Sequence, residues 1–208
     1  MAKIAIFDYG AGNLFSLKSA LERNGANGTK IIYDFKDLSK FDGLVLPGVG
    51  NFDPAIRSIQ NSVQYLKRAI DDDKPILGIC LGMEMLFDRS EEGKLEGLRI
   101  LEGNVVILPK NKVKIPHMGW NNLQIKSGNK SKLLEGVKNG SWVYFVHSYR
   151  TVPKEHKIIV ATSDYGVSVP AVIEKDKLIG VQFHPEKSGD VGSIMLRNFI
   201  EICNEEKN

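Results

Sequence analysis

Three residue types in distinctive local settings carry the chemistry open to this chain. Cys80 stands in Gly78-Ile79-Cys80-Leu81-Gly82, after a short apolar run and ahead of apolar residues at helical spacing, Leu81, Met85 and Leu86. A Gly-x-Cys-x-Gly turn between strand and helix is the thiol counterpart of the Gly-x-Ser-x-Gly elbow, where a strained backbone lifts the nucleophile clear of a sheet. Side chains beside such a turn would clash, so glycine is needed on either side. The helix that follows aims free N–H groups and its positive end at the sulfur, which predicts a favoured thiolate. His184 ends the apolar run Gly180-Val181-Gln182-Phe183, and Pro185 closes the strand behind it. Glu186 follows within reach of an imidazole nitrogen. A thiol nucleophile needs a base, and the base needs an orienting group. Cys80, His184 and Glu186 supply those three types.

These residues need a sheet to position them. Residues 3–9 read as a first strand, followed by a helix with Leu14, Leu17 and Leu21 at helical spacing and Gly25 as its stop. Residues 30–34 and 43–46 read as further strands. The latter runs into Pro47-Gly48-Val49-Gly50, a loop at the carboxyl end of a strand, where open α/β sheets bind ligands. Asp53 and Pro54 read as N-cap and first residue of a helix whose stripe is Ile56, Ile59, Val63, Leu66 and Ile70. The second half changes character. Short β-like runs are expected at 100–108, 112–115, 123–125, 142–146, 157–162, 168–174 and 178–183, with a hairpin tip at Lys175-Asp176. A last helix carries Val191, Ile194, Met195, Phe199 and Ile202 on one face. The expected fold class is α/β: a largely parallel open sheet flanked by helices, with antiparallel strands added in the C-terminal half. Residues 1–208 read as a single domain.

Composition narrows the function classes. A chain of 208 residues with 42% hydrophobic content can build a full core, and a net charge of +3 gives no reason to expect nucleic acid as partner. The densest basic cluster, Lys110, Lys112 and Lys114, reads as a solvated hairpin. Two cysteines, Cys80 and Cys203, make no disulfide framework, and a thiol nucleophile suits a reducing cytoplasm. Cys203 reads as core. No apolar run is long enough to span a membrane, and the four histidines show no metal-ligand spacing. No cofactor is called for.

The segment Gly78 to Met83, together with His184-Pro185-Glu186, resembles the triad-type (class I) glutamine amidotransferases, which release ammonia from the glutamine side chain for a synthase. Pro47-Gly48-Val49-Gly50, Pro116-His117-Met118-Gly119-Trp120-Asn121, Tyr144-Phe145-Val146-His147-Ser148-Tyr149 and the extension to Lys187-Ser188 narrow the likeness to the glutaminase subunits of imidazole glycerol phosphate synthase, in histidine biosynthesis. The resemblance runs from the first strand to the last helix. It implies that Cys80 attacks the glutamine amide, His184 shuttles the proton, and Glu186 orients His184. The N–H groups of Leu81 and of Val49 or Gly50 would hold the oxyanion. Gly48, Gly50, Glu84, Ser148 and Tyr149 would hold glutamine. Glu84 departs from the family's usual Gln, keeping an acceptor for the substrate ammonium and losing the amide donors. The resemblance also implies a heterodimer with a (β/α)8-barrel cyclase subunit that uses the ammonia on a phosphoribosyl-formimino carboxamide nucleotide. Asn13, Trp120, Tyr144 and Lys187 would face that partner.

Other readings stay open at this point. An amidotransferase serving another synthase, such as a surface-sugar pathway paralogue, would carry nearly the same motifs. A thiol hydrolase on a related fold would share the elbow but not the late His-Pro-Glu. A catalytically silent binding module would have no need for an intact Cys80, His184 and Glu186.

Overall fold

The computed structural model describes residues 2–10, 14–48, 50–128 and 130–205. In chain order the first half contains β1 (Ile4–Phe7), α1 (Leu14–Arg23), β2 (Lys30–Ile32), β3 (Gly43–Leu46), α2 (Phe52–Ile59), α3 (Val63–Asp71), β4 (Ile76–Ile79) and α4 (Leu81–Glu84). The second half contains β5 (Arg89–Ser90), β6 (Gly103–Ile107), β7 (His117–Asn122), β8 (Gln124–Ile125), β9 (Trp142–His147), β10 (Tyr149–Pro153), β11 (Ile159–Asp164), β12 (Ser168–Lys175), β13 (Leu178–Val181) and α5 (Gly189–Glu205).

The main sheet has the order β2-β1-β3-β4-β13-β12-β11-β8. Its first five strands are mutually parallel, and the last three are added antiparallel. This is the α/β architecture expected from the sequence. Strands covered on both faces read as unbroken apolar runs, which is why β1, β3, β4 and β13 are buried at every residue. Alternate side chains serve the two faces. Ile4, Ile6, Val45, Leu77 and Ile79 pack with Leu17 and Leu21 of α1 and Phe199 and Ile202 of α5. Ala5, Phe7, Leu44, Leu46 and Ile76 pack with Phe52 and Ile56 of α2 and Leu66 of α3. Cys203 is buried in the α5 layer.

Two small sheets stand beside the main one: β10-β6-β5, and the antiparallel ribbon β7-β9. The chain bends sharply at Ser148, so that β9 and β10 run in different sheets and the bend projects toward the carboxyl ends of β4 and β13.

Several expectations need correcting. The helix expected from Asp53 to Ile70 is two helices, broken at Gln60-Asn61-Ser62, where the Ser62 N–H and hydroxyl both turn back to the Ile59 carbonyl. Polar side chains that compete for local backbone groups weaken a helix at such points. Asp53 is not the N-cap. Asn51 holds that position, and the Asp53 carboxylate accepts the backbone N–H groups of Lys94 and Leu95 instead. Pro54 still falls in the first turn, where its missing N–H costs nothing. Residues 112–115 form no strand; Lys112 and Val113 turn back onto the Pro109 carbonyl, and the lysines around them lie exposed on this loop. Strands β7 and β10 were not expected, because their sequences are polar or proline-containing and gain strand structure only from pairing with β9 and β6.

Candidate active site

Parallel pairing of β4 with β13 brings Cys80 and His184 together. Ile79 lies in register with Val181, the Cys80 N–H donates to the Val181 carbonyl at 2.7 Å, and His184 follows three residues beyond Val181. Cys80 has φ +48° and ψ −108°, a left-handed backbone unusual for a side chain of its kind. Its flanking glycines are required by close backbone approach. A Cβ on Gly78 would stand 2.8 Å from the backbone of Gly82 and Met83, and one on Gly82 would run into the Leu46 carbonyl. Gly48 is needed for another reason: its Cβ would meet Cys80 Cβ at 2.8 Å and His184 Cε1 at 3.1 Å, so its bare backbone lies against the Cys80 side chain and the imidazole at once.

His184 is buried, and its Nδ1 lies 2.8 Å from Glu186 Oε1 across a short 3-10 turn beginning at Pro185. The His184 N–H donates to the Tyr144 carbonyl, and the Ser188 hydroxyl donates to the His184 carbonyl at 2.6 Å. The ring is thereby oriented with Nδ1 on the carboxylate. Nε2 is buried with no hydrogen-bond partner among the described residues. A buried ring nitrogen left bare is costly unless something comes to fill it.

The expected thiolate is not what the resting site favours. Burial, followed by the nearby Glu84 carboxyl, pushes the Cys80 thiol well above its ordinary pKa. The Leu81 N–H and the Gln182 amide, 3.7 Å from the sulfur, act in the opposite direction without prevailing. The helix behind Cys80 is only four residues long, which leaves little dipole to oppose burial. The thiol faces the carbonyl oxygen of Val146 at 3.8 Å.

A cavity of about 290 Å³ opens in front of Cys80, at the small end of the ~300–1,000 Å³ range of ligand pockets. Gly48, Gly50, Leu81, Glu84, Ser148 and Tyr149 all line it, and His147, Val146, Pro116 and Glu92 complete it. Gly50, with φ +122°, has a backbone that favours glycine. Among the described residues the lining holds two carboxyls and no Lys or Arg, a setting suited to an ammonium group. Glu84 Oε1 accepts from Gln182 Nε2 at 2.9 Å, and burial raises the Glu84 pKa to about 8. Tyr9 is buried near both Cys80 and Glu84, and its hydroxyl is raised well above the ordinary tyrosine range, first by burial. Sequence reasoning missed Gln182, Glu92 and Tyr9. Gln182 carried a signal, being the one amide in an apolar strand that leads directly to His184.

Trp120 and Tyr144 sit opposite each other in the β7-β9 register, their rings 5.9 Å apart. The outward face of this ribbon also carries Met118 and Trp142, and Met118, Trp120 and Trp142 are each more than half exposed. Neither Met118 nor Trp142 was picked out from the sequence; alternation along β7 and β9 would have placed them beside Trp120. Lys187 is exposed on the 3-10 turn, next to Ser188, whose hydroxyl accepts the Tyr144 N–H. Asn13 and Val49 lie outside the described residues. His156 is exposed, away from these groups. Among the described residues no group of three His, Cys, Asp or Glu side chains could hold a metal ion, and no helix is long and apolar enough to cross a membrane.

A family model described as glutamine amidotransferase class-I matches residues 5–203. The chain is 50% identical, over 96% of its length and 98% of the relative, to imidazole glycerol phosphate synthase subunit HisH of Caldanaerobacter subterraneus subsp. tengcongensis. It is 46% identical, over 95% of both chains, to the subunit of the same name from Aquifex aeolicus. In fold it matches the glutaminase domain of Trypanosoma brucei CTPS with a TM-score of 0.71 at 19% identity, over 99% of this chain and 94% of that one.

Proposed function

Since the chain belongs to the class-I glutamine amidotransferases, we propose that it is the glutaminase subunit of imidazole glycerol phosphate synthase, working in histidine biosynthesis with a cyclase subunit. Glutamine enters the cavity with its ammonium toward Glu84 and Glu92 and its side-chain amide toward Cys80. The thiol turns from the Val146 carbonyl to His184 Nε2, which takes its proton as the sulfur attacks the amide carbon. Glu186 holds Nδ1–H and stabilises the imidazolium that forms. The oxyanion is held by the Leu81 N–H, which already points at the sulfur, and, once the loop rearranges, by the N–H of Val49 or Gly50. His184 then protonates the departing ammonia, leaving a thioester at Cys80. Water activated by the same ring releases glutamate and restores the thiol.

The observation that carries this reading is the bare Nε2 of His184, held by Glu186 from behind and packed with Cys80 against the Gly48 backbone. Ammonia leaves toward a (β/α)8-barrel cyclase seated on the face of Trp120, Tyr144 and Lys187. The resting thiol is protonated and turned away from its base, so the isolated chain should be slow and the partner should accelerate it.

The deciding experiment measures glutamate release by wild type and Cys80→Ala, with and without the cyclase and its nucleotide ligand. Strong stimulation that vanishes in Cys80→Ala is expected. Full activity of the isolated chain would refute the partner dependence, and residual stimulated activity in Cys80→Ala would refute the nucleophile.

A further inference from the structure

The β7-β9 ribbon contains two histidines that the proton transfers do not use. His117 and His147 are paired across the ribbon, both buried, with His117 Nδ1 2.9 Å from His147 Nε2. His147 Nδ1 lies 2.7 Å from the Tyr149 carbonyl oxygen. His117 Nε2 lies 3.4 Å from the Asn121 amide nitrogen.

The protons on these rings follow by elimination. A carbonyl oxygen can only accept, so His147 carries a proton on Nδ1. Burial lowers the pKa of His147 to about 3 and that of His117 to about 4, so both rings are neutral. His147 Nε2 is therefore an acceptor, and His117 must donate from Nδ1. His117 Nε2 is left to accept from Asn121. The Asn121 amide is itself oriented, since its oxygen accepts the Asn122 N–H at 2.8 Å and its nitrogen donates to the Asp164 carbonyl at 2.9 Å. Every donor thus points the same way, from Asn121 through two imidazoles to the Tyr149 carbonyl. The His117 ring is held between Phe145, at 4.7 Å, and Tyr165, at 3.8 Å between ring centres.

We propose that His147, backed by His117, is a positioning residue for glutamine: the one-way chain pins the Val146–Tyr149 bend over Cys80. This rests on the glutaminase reading, in which Ser148 and Tyr149 hold the substrate. The pinned bend includes the Val146 carbonyl that faces the thiol. Backbone pairing fixes β9 up to His147 and β10 from Tyr149, but Ser148 between them belongs to neither strand, although its carbonyl accepts the Leu108 N–H at 2.9 Å. The His147 Nδ1–H bond spans that gap. Asn121 starts the chain on the strand that presents Met118 and Trp120 outward, so the same wiring links the exposed aromatic face to the glutamine cavity.

The test uses the complex with the cyclase. His117→Phe keeps the ring stack and removes the donor to His147. His117→Asn restores a donor near the position of Nδ1. His117→Phe should raise the glutamine KM about tenfold while kcat changes less than about threefold, and His117→Asn should stay within about threefold of wild type in both. Equal KM values for the two variants would overturn the proposal. A wild-type complex that releases no glutamate would overturn the glutaminase reading and the substrate role with it, whereas an active wild type with unresponsive variants overturns the role of the histidines alone. Nitrogen-15 spectra of the wild-type chain give a readout independent of turnover and of variant folding. Both rings should show the Nδ1–H tautomer near pH 7, and an Nε2–H tautomer at either ring would break the wiring.

Discussion

The thiol of Cys80 faces the main-chain carbonyl of Val146, 3.8 Å away, while the Nε2 atom of the neighbouring His184 stays unpaired. The sulfur therefore rests against the β9 strand and not on the His184 imidazole. Burial and Glu84 hold it protonated.

Alkylation should report this directly. The isolated chain should react slowly with iodoacetamide at neutral pH, with a rate that climbs through pH 9 and beyond without an early plateau. Glu84→Gln removes the second cause of the raised thiol pKa. Its rate at pH 9 should be roughly three- to tenfold faster, since each pKa unit is tenfold in thiolate. An unchanged or slower rate would contradict the placement of Glu84 beside the sulfur.

Glu84 also makes stability depend on pH in an unusual direction. Its folded pKa, about 8, is above that of an unfolded glutamate, ~4.3. Between those values the folded state binds more protons than the unfolded one. Stability from this group is therefore full below about pH 4 and is lost as pH rises toward 8, by at most ~1.4 kcal/mol per pH unit. Glu84→Gln has no such titration. Thermal melts at pH 5, 6.5 and 8 should show the variant gaining on wild type as pH rises; a constant gap would refute the raised pKa.

Gly48→Ala tests the contact that Gly48 shares with Cys80 and His184. Its Cβ must displace the Ile79 carbonyl, Cys80 or His184. Overpacking of this kind costs about 1–3 kcal/mol, and a shift of about 1 Å between reacting groups costs about 100-fold in rate. A stimulated kcat within a few-fold of wild type would show that the loop can move aside freely.

The exposed aromatic ribbon gives a prediction on binding alone. Trp120→Ala and Trp142→Ala should each weaken association with the cyclase roughly 10- to 30-fold, as buried interface aromatics do. Both side chains are more than half exposed in the isolated chain, so its stability should change by no more than about 0.5 kcal/mol. Binding by titration calorimetry and melting of the free chain separate the two effects. Undiminished affinity in both variants would move the docking face elsewhere.

Much of the site could be read from the sequence because it depends on local backbone geometry. Gly78 and Gly82 mark the elbow, since only glycine tolerates the backbone approach found there. Pro185 marks the end of the run that delivers His184, and the two-residue step to Glu186 sets the reach of the carboxylate. The unread features are tertiary. The state of the Cys80 thiol depends on Glu84 and on burial, neither of which appears in the pentapeptide. The break at Gln60-Asn61-Ser62 is hidden by an apolar stripe that continues in phase from Ile59 to Val63. Strand β7 is polar and alternates weakly, so its pairing with β9 could be seen only once both were placed.

The central pairing of β4 with β13 has a further consequence for how the protein acquires activity. Cys80 and Gln182 touch across 102 residues of sequence, and the intervening chain must loop out before the two strands can meet. Contacts of such long range carry a loop-closure cost that local helices and turns do not. During synthesis the thiol emerges from the ribosome well before its imidazole. Until β13 docks, Cys80 and His184 lie apart, and any fragment ending before that strand has the thiol without the imidazole proposed as its base.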